Sequence, residues 1–370
     1  MKIALVHDQL QEFGGAERVL MSLKELFPKA PVYTSFYNYK TLGHHANEIR
    51  KWKIIPSWAH FVPFFKKLYS PLRFLAPKIW ESFDFSNYDV VITSSGWYMS
   101  KGIITKEKTK NICYMHHPPR YLYGYETSVE WQKYKLIKIY ANIVNHYLRM
   151  WDYTSAQRVD YFIANSQETS ARIKKFYRRD SVVIYPPVNI PKIFTNSIKN
   201  KNSYYITVSR IARVKHIDLL IKCANKYKFN LKVVGDGRDL EYLKNLSGDT
   251  VEFVQHADDV MLQKLLREAK AFLFAAVDEE FGIAPVEAMG FGIPVIAYSS
   301  GGLKETVQNN INGFLYEELT IDSIASQIKK IENMSDSLYL DMREEAYRES
   351  KKYSEENFKK NIKSFLQKVA

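Results

Sequence analysis

Lys2–Leu26 reads KIALVHDQLQEFGGAERVLMSLKEL, and its texture changes twice. Lys2–His7 is a short apolar run, the pattern of a strand buried on both faces. Gln9–Gly15 is polar and ends in paired glycines. From Ala16 onward Val19, Leu20, Leu23 and Leu26 recur at helical spacing. Strand, glycine turn, helix is how a Rossmann-like unit opens. Working outward, Tyr88–Thr93, Lys110–Met115, Tyr161–Ala164 and Ser181–Tyr185 read as further strands. Short apolar runs separated by helices predict an α/β fold, with a parallel sheet covered on both sides.

The texture changes at Pro186. Pro186, Pro187 and Pro191 are followed by Asn, Lys and Ser up to Ser203, the best linker candidate in the chain. The alternation then restarts, with strands expected at Tyr204–Ser209, Asn230–Val234, Val251–Val254, Ala271–Val277 and Pro294–Tyr298. Asn312-Gly313 fits a turn before one more apolar strand. From about Ser335 the chain is helical, with a break at Tyr353-Ser354. A capping-like Ser354-Glu355-Glu356-Asn357 starts the last helix. Two Rossmann-like domains are expected, over residues 1–188 and 189–352, with a C-terminal helix over 353–370.

The chain has 370 residues and a formal net charge of +13. Residues 1–190 carry 27 Lys and Arg against 15 Asp and Glu, a net +12. The rest carry 26 against 25, a net +1. A basic half beside a neutral half predicts different partners for each, with an anionic surface facing the first. A nucleic acid would also answer to +13, but the first half holds no recognised nucleic-acid module. The two cysteines, Cys113 and Cys223, form no metal-spacing pattern, so a reduced, intracellular protein is expected. Met1–Leu10 lacks a cleavage-site pattern and does not read as a signal peptide. No run approaches the roughly 18–20 apolar residues that span a bilayer.

Residues 50–82 resist the α/β reading. Four prolines, eight aromatics including Trp58, Phe61 and Phe64, and seven basics stand against the single acid Glu81. Aromatic and cationic residues interleaved in this way suit a membrane interface. A long insertion packed into the first core, with its basics outward, is the competing reading.

The segment richest in chemistry is Asp278–Gly290, DEEFGIAPVEAMG. Glu279 sits just past an expected strand, at the sheet edge where open parallel sheets bind ligands. Pro285 fits the first turn of a following helix. Glu279 and Glu287 can accept hydrogen bonds from sugar hydroxyls, and Gly282 lets the backbone approach closely. Two surface glutamates flanking a turn would be the plainer reading of an isolated pair. The intervening Phe-Gly-Ile and the Glu-Ala-Met argue against coincidence.

This segment resembles the E-x7-E signature of retaining glycosyltransferases with the GT-B fold. It is most similar to bacterial mannosyltransferases that build O-antigen and related lipid-linked saccharides. The resemblance covers nearly the whole chain and is weakest in 50–82 and the helical tail. It implies two Rossmann-like domains with a cleft between them and a C-terminal helix returning to the first. Further positions match the same family. Arg210 and Lys215, in SRIARVK, match the cations that hold the donor diphosphate. Fixed cations stabilise the charge that a departing diphosphate accumulates. Gly14-Gly15 resembles the first-domain glycine loop, at a helix N-terminus suited to phosphate. His116, in YMHHPPRY, falls where the family has a His near the transferred sugar, whereas His117 is extra and has no role. Gly235-Asp236-Gly237 and Ser299-Ser300-Gly301-Gly302 match two further turns.

The resemblance implies transfer of a hexose, mannose from GDP-mannose being favoured, to a lipid-linked saccharide in cell-surface polysaccharide synthesis. A UDP-sugar donor is the alternative within the fold, and a non-catalytic basic nucleic-acid-binding protein is the alternative outside it. Glu279 is expected to position sugar hydroxyls and Glu287 to bind ribose. Phe281, Gly282 and Ile283 would offer backbone amides. No metal cofactor is expected, since Arg210 and Lys215 supply the neutralising charge. Asp258-Asp259 reads as a helix cap, not a metal site. The implied location is cytoplasmic, peripheral on the inner face of the cytoplasmic membrane. Three departures stand out. Gly is frequent where Ser209 stands, usual where His216 follows Lys215, and replaced by Gln255 in the loop that faces the base.

Overall fold

The computed structural model describes residues 1–127 and 134–369. The chain divides into two compact units. Unit 1 holds Met1–Tyr125, Glu130–Pro187 and Glu356–Ala370, and unit 2 holds Glu126–Val129 and Val188–Glu355.

Unit 1 is built on seven parallel strands. They are β1 (Ile3–His7), β2 (Val32–Thr34), β3 (Ile54–Pro56), β4 (Val90–Ser95), β5 (Lys110–Met115), β6 (Tyr161–Ala164) and β7 (Ser181–Val183). Their order is β3-β2-β1-β4-β5-β6-β7, so the direction of winding reverses between β1 and β4. Side chains alternate along β1. Leu5 joins a core with Val19, Leu20 and Leu23 of helix Gly15–Leu26. Ala4 and Val6 join a second core on the other face, with Phe65, Ile79 and Trp80. Both faces are covered, which is why the strand carries no polar alternation. The last helix, Glu355–Val369, belongs to this unit and buries Phe358, Ile362, Phe365 and Leu366 in the first of these cores.

Two strands escaped the sequence reading, β2 and β3, each of three residues. Pro56 ends β3, which has β2 as its sole neighbour, an edge where a missing N–H does no harm. Residues 50–82 combine the two competing readings. Phe65, Ile79 and Trp80 are fully buried, while Phe61 and Phe64 are 75% and 74% exposed.

Unit 2 has six parallel strands. They are β8 (Tyr205–Val208), β9 (Leu231–Val234), β10 (Val251–Val254), β11 (Ala271–Phe274), β12 (Val295–Tyr298) and β13 (Gly313–Tyr316), in the order β10-β9-β8-β11-β12-β13. Its winding reverses between β8 and β11. Strand β11 stops at Phe274, three residues before the expected end, and Asp278 turns with φ +54°. The stretch after Pro187 is not a bare linker. Phe194 stacks on Tyr347 with centroids 4.8 Å apart. Asn196 donates to the Leu340 carbonyl at 2.9 Å, so the segment is fastened to unit 2.

Candidate functional site

In each unit the chemistry-bearing residues collect at the carboxyl ends of the strands that flank the reversal, where open parallel sheets bind ligands.

In unit 2, β8 runs into Ser209 and Arg210, then a 3-10 turn Arg213–Lys215. The strand β11 runs into Glu279. These two neighbouring loops bring Lys215 Nζ within 2.6 Å of Glu279 Oε2. Both side chains are mostly buried, which strengthens the charge-assisted bond. Lys215 Nζ also lies 5.5 Å from the centre of the Phe274 ring. The Val277 N–H donates to the Val214 carbonyl at 3.3 Å, lacing the loops together. Arg210 is exposed on the same loop.

The glycine turns hold this arrangement from either side. Gly301, at φ +58°, lies so close to Glu279 that an added Cβ would sit 2.0 Å from the Glu279 carbonyl oxygen. The Gly302 N–H donates to that same oxygen at 2.8 Å, and Ser300 Oγ accepts from the Asp278 N–H at 2.9 Å. On the other side, a Cβ on Gly237 would meet the Ile211 carbonyl oxygen at 2.1 Å. These turns bring backbone against backbone and fix the loops carrying Arg210 and Glu279.

Gly282 is the left-handed cap, φ +88°, of helix Ile283–Gly290. The amides at this end point out of the helix and favour negative charge. Ile283 opens the helix and Glu287 follows one turn later. The Phe281 ring is buried against Tyr353, centroids 5.3 Å apart, so only its backbone can serve a ligand. His216, where the resemblance expects glycine, has φ +47°. That left-handed geometry is the reason glycine suits the position. Its Nε2 lies 3.1 Å from Glu126 Oε2. Asp258 caps helix Asp259–Glu268 by accepting from the Met261 N–H at 2.8 Å.

In unit 1, His116 follows β5 and is buried. Its Nε2 is 2.7 Å from Ser94 Oγ at the end of β4. Ser94 Oγ is 3.0 Å from His7 Nδ1 at the end of β1. His7 Nε2 is 3.3 Å from Glu17 Oε1, and Glu17 Oε2 accepts from the Gly14 N–H at 2.9 Å. A carboxylate only accepts, so His7 Nε2 carries hydrogen. The direction of the two bonds through Ser94 follows the charge on His7: with the ring neutral, Nδ1 accepts the Ser94 proton and Ser94 Oγ accepts from His116 Nε2–H.

The same Glu17 carboxylate reaches the glycine loop. The Gly14 N–H, expected to meet phosphate, is bonded to Glu17. Gly15 opens the helix behind it. The sequence reading also missed Asp8, next to His7. Its Oδ2 accepts from the N–H groups of Gly96 at 3.0 Å and Tyr98 at 2.8 Å, and its Oδ1 from Ser100 at 2.9 Å. The one sequence signal was the polar pair His7-Asp8 ending an apolar run. His117, left without a role, donates from Nδ1 to the Pro118 carbonyl at 3.1 Å.

Two family models match the chain. Glycosyl transferases group 1 matches residues 189–349, and Glycosyltransferase Family 4 matches residues 13–191. Among curated proteins, an uncharacterised glycosyltransferase of Haemophilus influenzae is 30% identical over 192 residues, covering 49% of this chain and 53% of that protein. The human alpha-1,3/1,6-mannosyltransferase ALG2 is 27% identical over 201 residues, covering 45% and 48%. The Kluyveromyces lactis ALG2 is 23% identical and covers 83% and 71%. The chain spans about half the length of the first of these relatives. Among solved structures, Anabaena HepE in complex with UDP and glucose has a TM-score of 0.72 at 19% identity, covering both chains completely. Sucrose-phosphate synthase from Thermosynechococcus elongatus has a TM-score of 0.74 at 17% identity, covering 100% and 99%. These likenesses establish the GT-B fold.

Proposed function

We propose, from the match of residues 189–349 to the group 1 glycosyl transferases and of residues 13–191 to Glycosyltransferase Family 4, that the chain is a glycosyltransferase which transfers mannose from GDP-mannose to a lipid-linked saccharide, with retention at the anomeric carbon. The observation that carries the reading is the Lys215–Glu279 pair, 2.6 Å apart at the β8/β11 reversal. One loop pair thus presents a cation for the diphosphate and a carboxylate for sugar hydroxyls. Arg210 adds a second cation, and the amides of Phe281, Gly282 and Ile283 face the same charge. Glu287 takes the ribose hydroxyls. Relatives named as mannosyltransferases, the ALG2 proteins, support the sugar.

In this reading the bond from the anomeric carbon to the diphosphate oxygen breaks as the acceptor oxygen bonds on the same face. The acceptor proton passes to the leaving oxygen. Arg210 and Lys215 stabilise the charge that develops, so no metal is required. His116, at the end of β5, holds a substrate hydroxyl. The protein works in the cytoplasm, peripherally on the inner face of the cytoplasmic membrane, in polysaccharide assembly. The net +12 of the first half and the exposed Phe61 and Phe64 support that location. Among the described residues no helix is long and apolar enough to cross a membrane.

A UDP-sugar donor is the second reading, favoured by the likeness to HepE, whose structure holds UDP and glucose. Calorimetric titration with GDP and with UDP separates the two, and binding of UDP alone defeats the first. Glu279→Ala should abolish transfer while lowering stability by no more than about 1–2 kcal/mol, the worth of a partly buried charged bond. Full residual activity would remove Glu279 from the site. Transfer that stops on adding EDTA and resumes with magnesium would overturn the metal-free reading.

A further inference from the structure

Helix Lys135–Gln157 of unit 1 carries apolar residues on two opposite faces. An ordinary surface helix turns its apolar stripe inward. The inward face here carries Asn145, Asp152 and Ser155 beside Ala141, Leu148 and Ala156. Those polar groups are satisfied inside the unit. Asp152 is ion-paired with the fully buried Lys101, and it accepts from the Tyr123 hydroxyl at 2.7 Å. Asn145 Oδ1 accepts from Arg73 Nε at 3.3 Å and from Nη2 at 3.0 Å. These buried polar bonds and the packing of Val144, Leu148 and Trp151 together hold this face inward.

A second set of apolar residues faces outward. Leu136, Ile139, Ile143, Tyr147 and Met150 follow one another in steps of three and four, forming a single ridge about four turns long. Leu136 is 83% exposed and Ile143 68%. Single exposed apolar residues are ordinary, but a continuous row marks an interaction surface. A second row runs beside it, made of Lys135, Lys138, Asn142, His146 and Arg149. A groove of about 650 Å³ opens along this polar row, lined in part by Asn142, His146 and Arg149. The only acid in the helix is Asp152, already paired inside. Residues 70–81 run alongside. The Tyr140 hydroxyl donates to the Pro71 carbonyl, and the Trp151 indole donates to Glu81 at 2.9 Å. That segment adds Phe74, 40% exposed, and continues the aromatic and cationic stretch that holds Lys66 and Lys67.

We propose that the outward face of helix Lys135–Gln157 is the docking surface of this chain for an anionic lipid bilayer. The ridge enters the acyl boundary, and the Lys135, Lys138 and Arg149 row meets lipid phosphates. This deepens the reading of a membrane-borne acceptor and rests on it. Charge complementarity selects the occupant. A two-fold interface with a second copy would set this cationic row against itself, with no acid on the helix to meet it.

Flotation with vesicles tests the proposal, using the full chain. The wild type should float with phosphatidylcholine vesicles containing phosphatidylglycerol, and much less with phosphatidylcholine alone. Ile139→Glu combined with Ile143→Glu should abolish flotation without lowering the melting temperature, because both side chains are exposed. Lys135→Gln, Lys138→Gln and Arg149→Gln together should remove the preference for anionic vesicles. Flotation of the Ile139→Glu, Ile143→Glu variant equal to wild type would overturn the proposal. So would a wild type that does not float and sediments as a dimer, with the same variant sedimenting as a monomer. Nucleotide titration and transfer to a soluble acceptor are read on the same samples. Flotation without mannose transfer keeps the docking surface and rejects the donor reading.

Discussion

His7 does nothing in the sequence beyond ending an apolar run. In the fold it stands across from Ser94, its register partner on β4, and completes a buried line from Glu17 to His116. Ser94→Ala removes the hydroxyl that links His116 to His7. We expect kcat to fall about 10–100-fold, the scale seen when the hydrogen-bonded partner of a metal-ligating His is removed. Donor affinity should be unchanged and the pH profile of kcat displaced. An unaltered profile with full kcat would show that the line serves packing alone. The residues matched by family resemblance, Glu279, Arg210, Lys215 and His116, were legible because motif spacing is local. Their partners were not. Lys215 and Glu279 lie 64 positions apart, and only the adjacency of β8 and β11 joins them. His216 shows the reverse case: the family's glycine was noted from the sequence, and its cause, a left-handed backbone, waited for the fold.

Strands and turns divide in a similar way. The long apolar runs were readable, while three-residue β2 and β3 were too short to show a period. Glycines are alike in sequence and unlike in place. Gly301 and Gly43 share φ +58°, yet a Cβ on Gly43 meets nothing within 4 Å and one on Gly301 meets the Glu279 carbonyl at 2.0 Å. Gly43→Ala should therefore show only the backbone strain, about 1 kcal/mol in a denaturant titration. Gly301→Ala must displace the Glu279 loop, and donor affinity should fall at least tenfold by calorimetry. Equal effects at the two sites would show that loop proximity is not what matters at Gly301. Helix Lys135–Gln157 adds a lesson of its own. An apolar period in a sequence gives a stripe without saying which way the stripe points.

The charge asymmetry of the chain, +12 against +1, now has a candidate location in the outward rows of unit 1. The final helix contributes to the same unit from the far end of the chain. Phe358 is buried there with its ring 5.9 Å from that of Tyr114 on β5. Phe358→Ala should destabilise unit 1 by about 3–5 kcal/mol, the range for a large core aromatic. A second transition, from unit 2, should keep its midpoint in the same denaturant titration. Loss confined to unit 2 would contradict the assignment of the helix. The α/β class and the restart of the alternation after Pro186 were present in the order of residues. Period, turn chemistry and motif spacing act over a few neighbours. The line from Glu17 to His116, the Lys215–Glu279 pair and the direction of helix Lys135–Gln157 came only from the folded chain. Each depends on satisfying a buried polar group with a partner far away in sequence. Lys101 and Asp152, 51 residues apart, pair on the buried side of that helix, opposite its exposed apolar ridge.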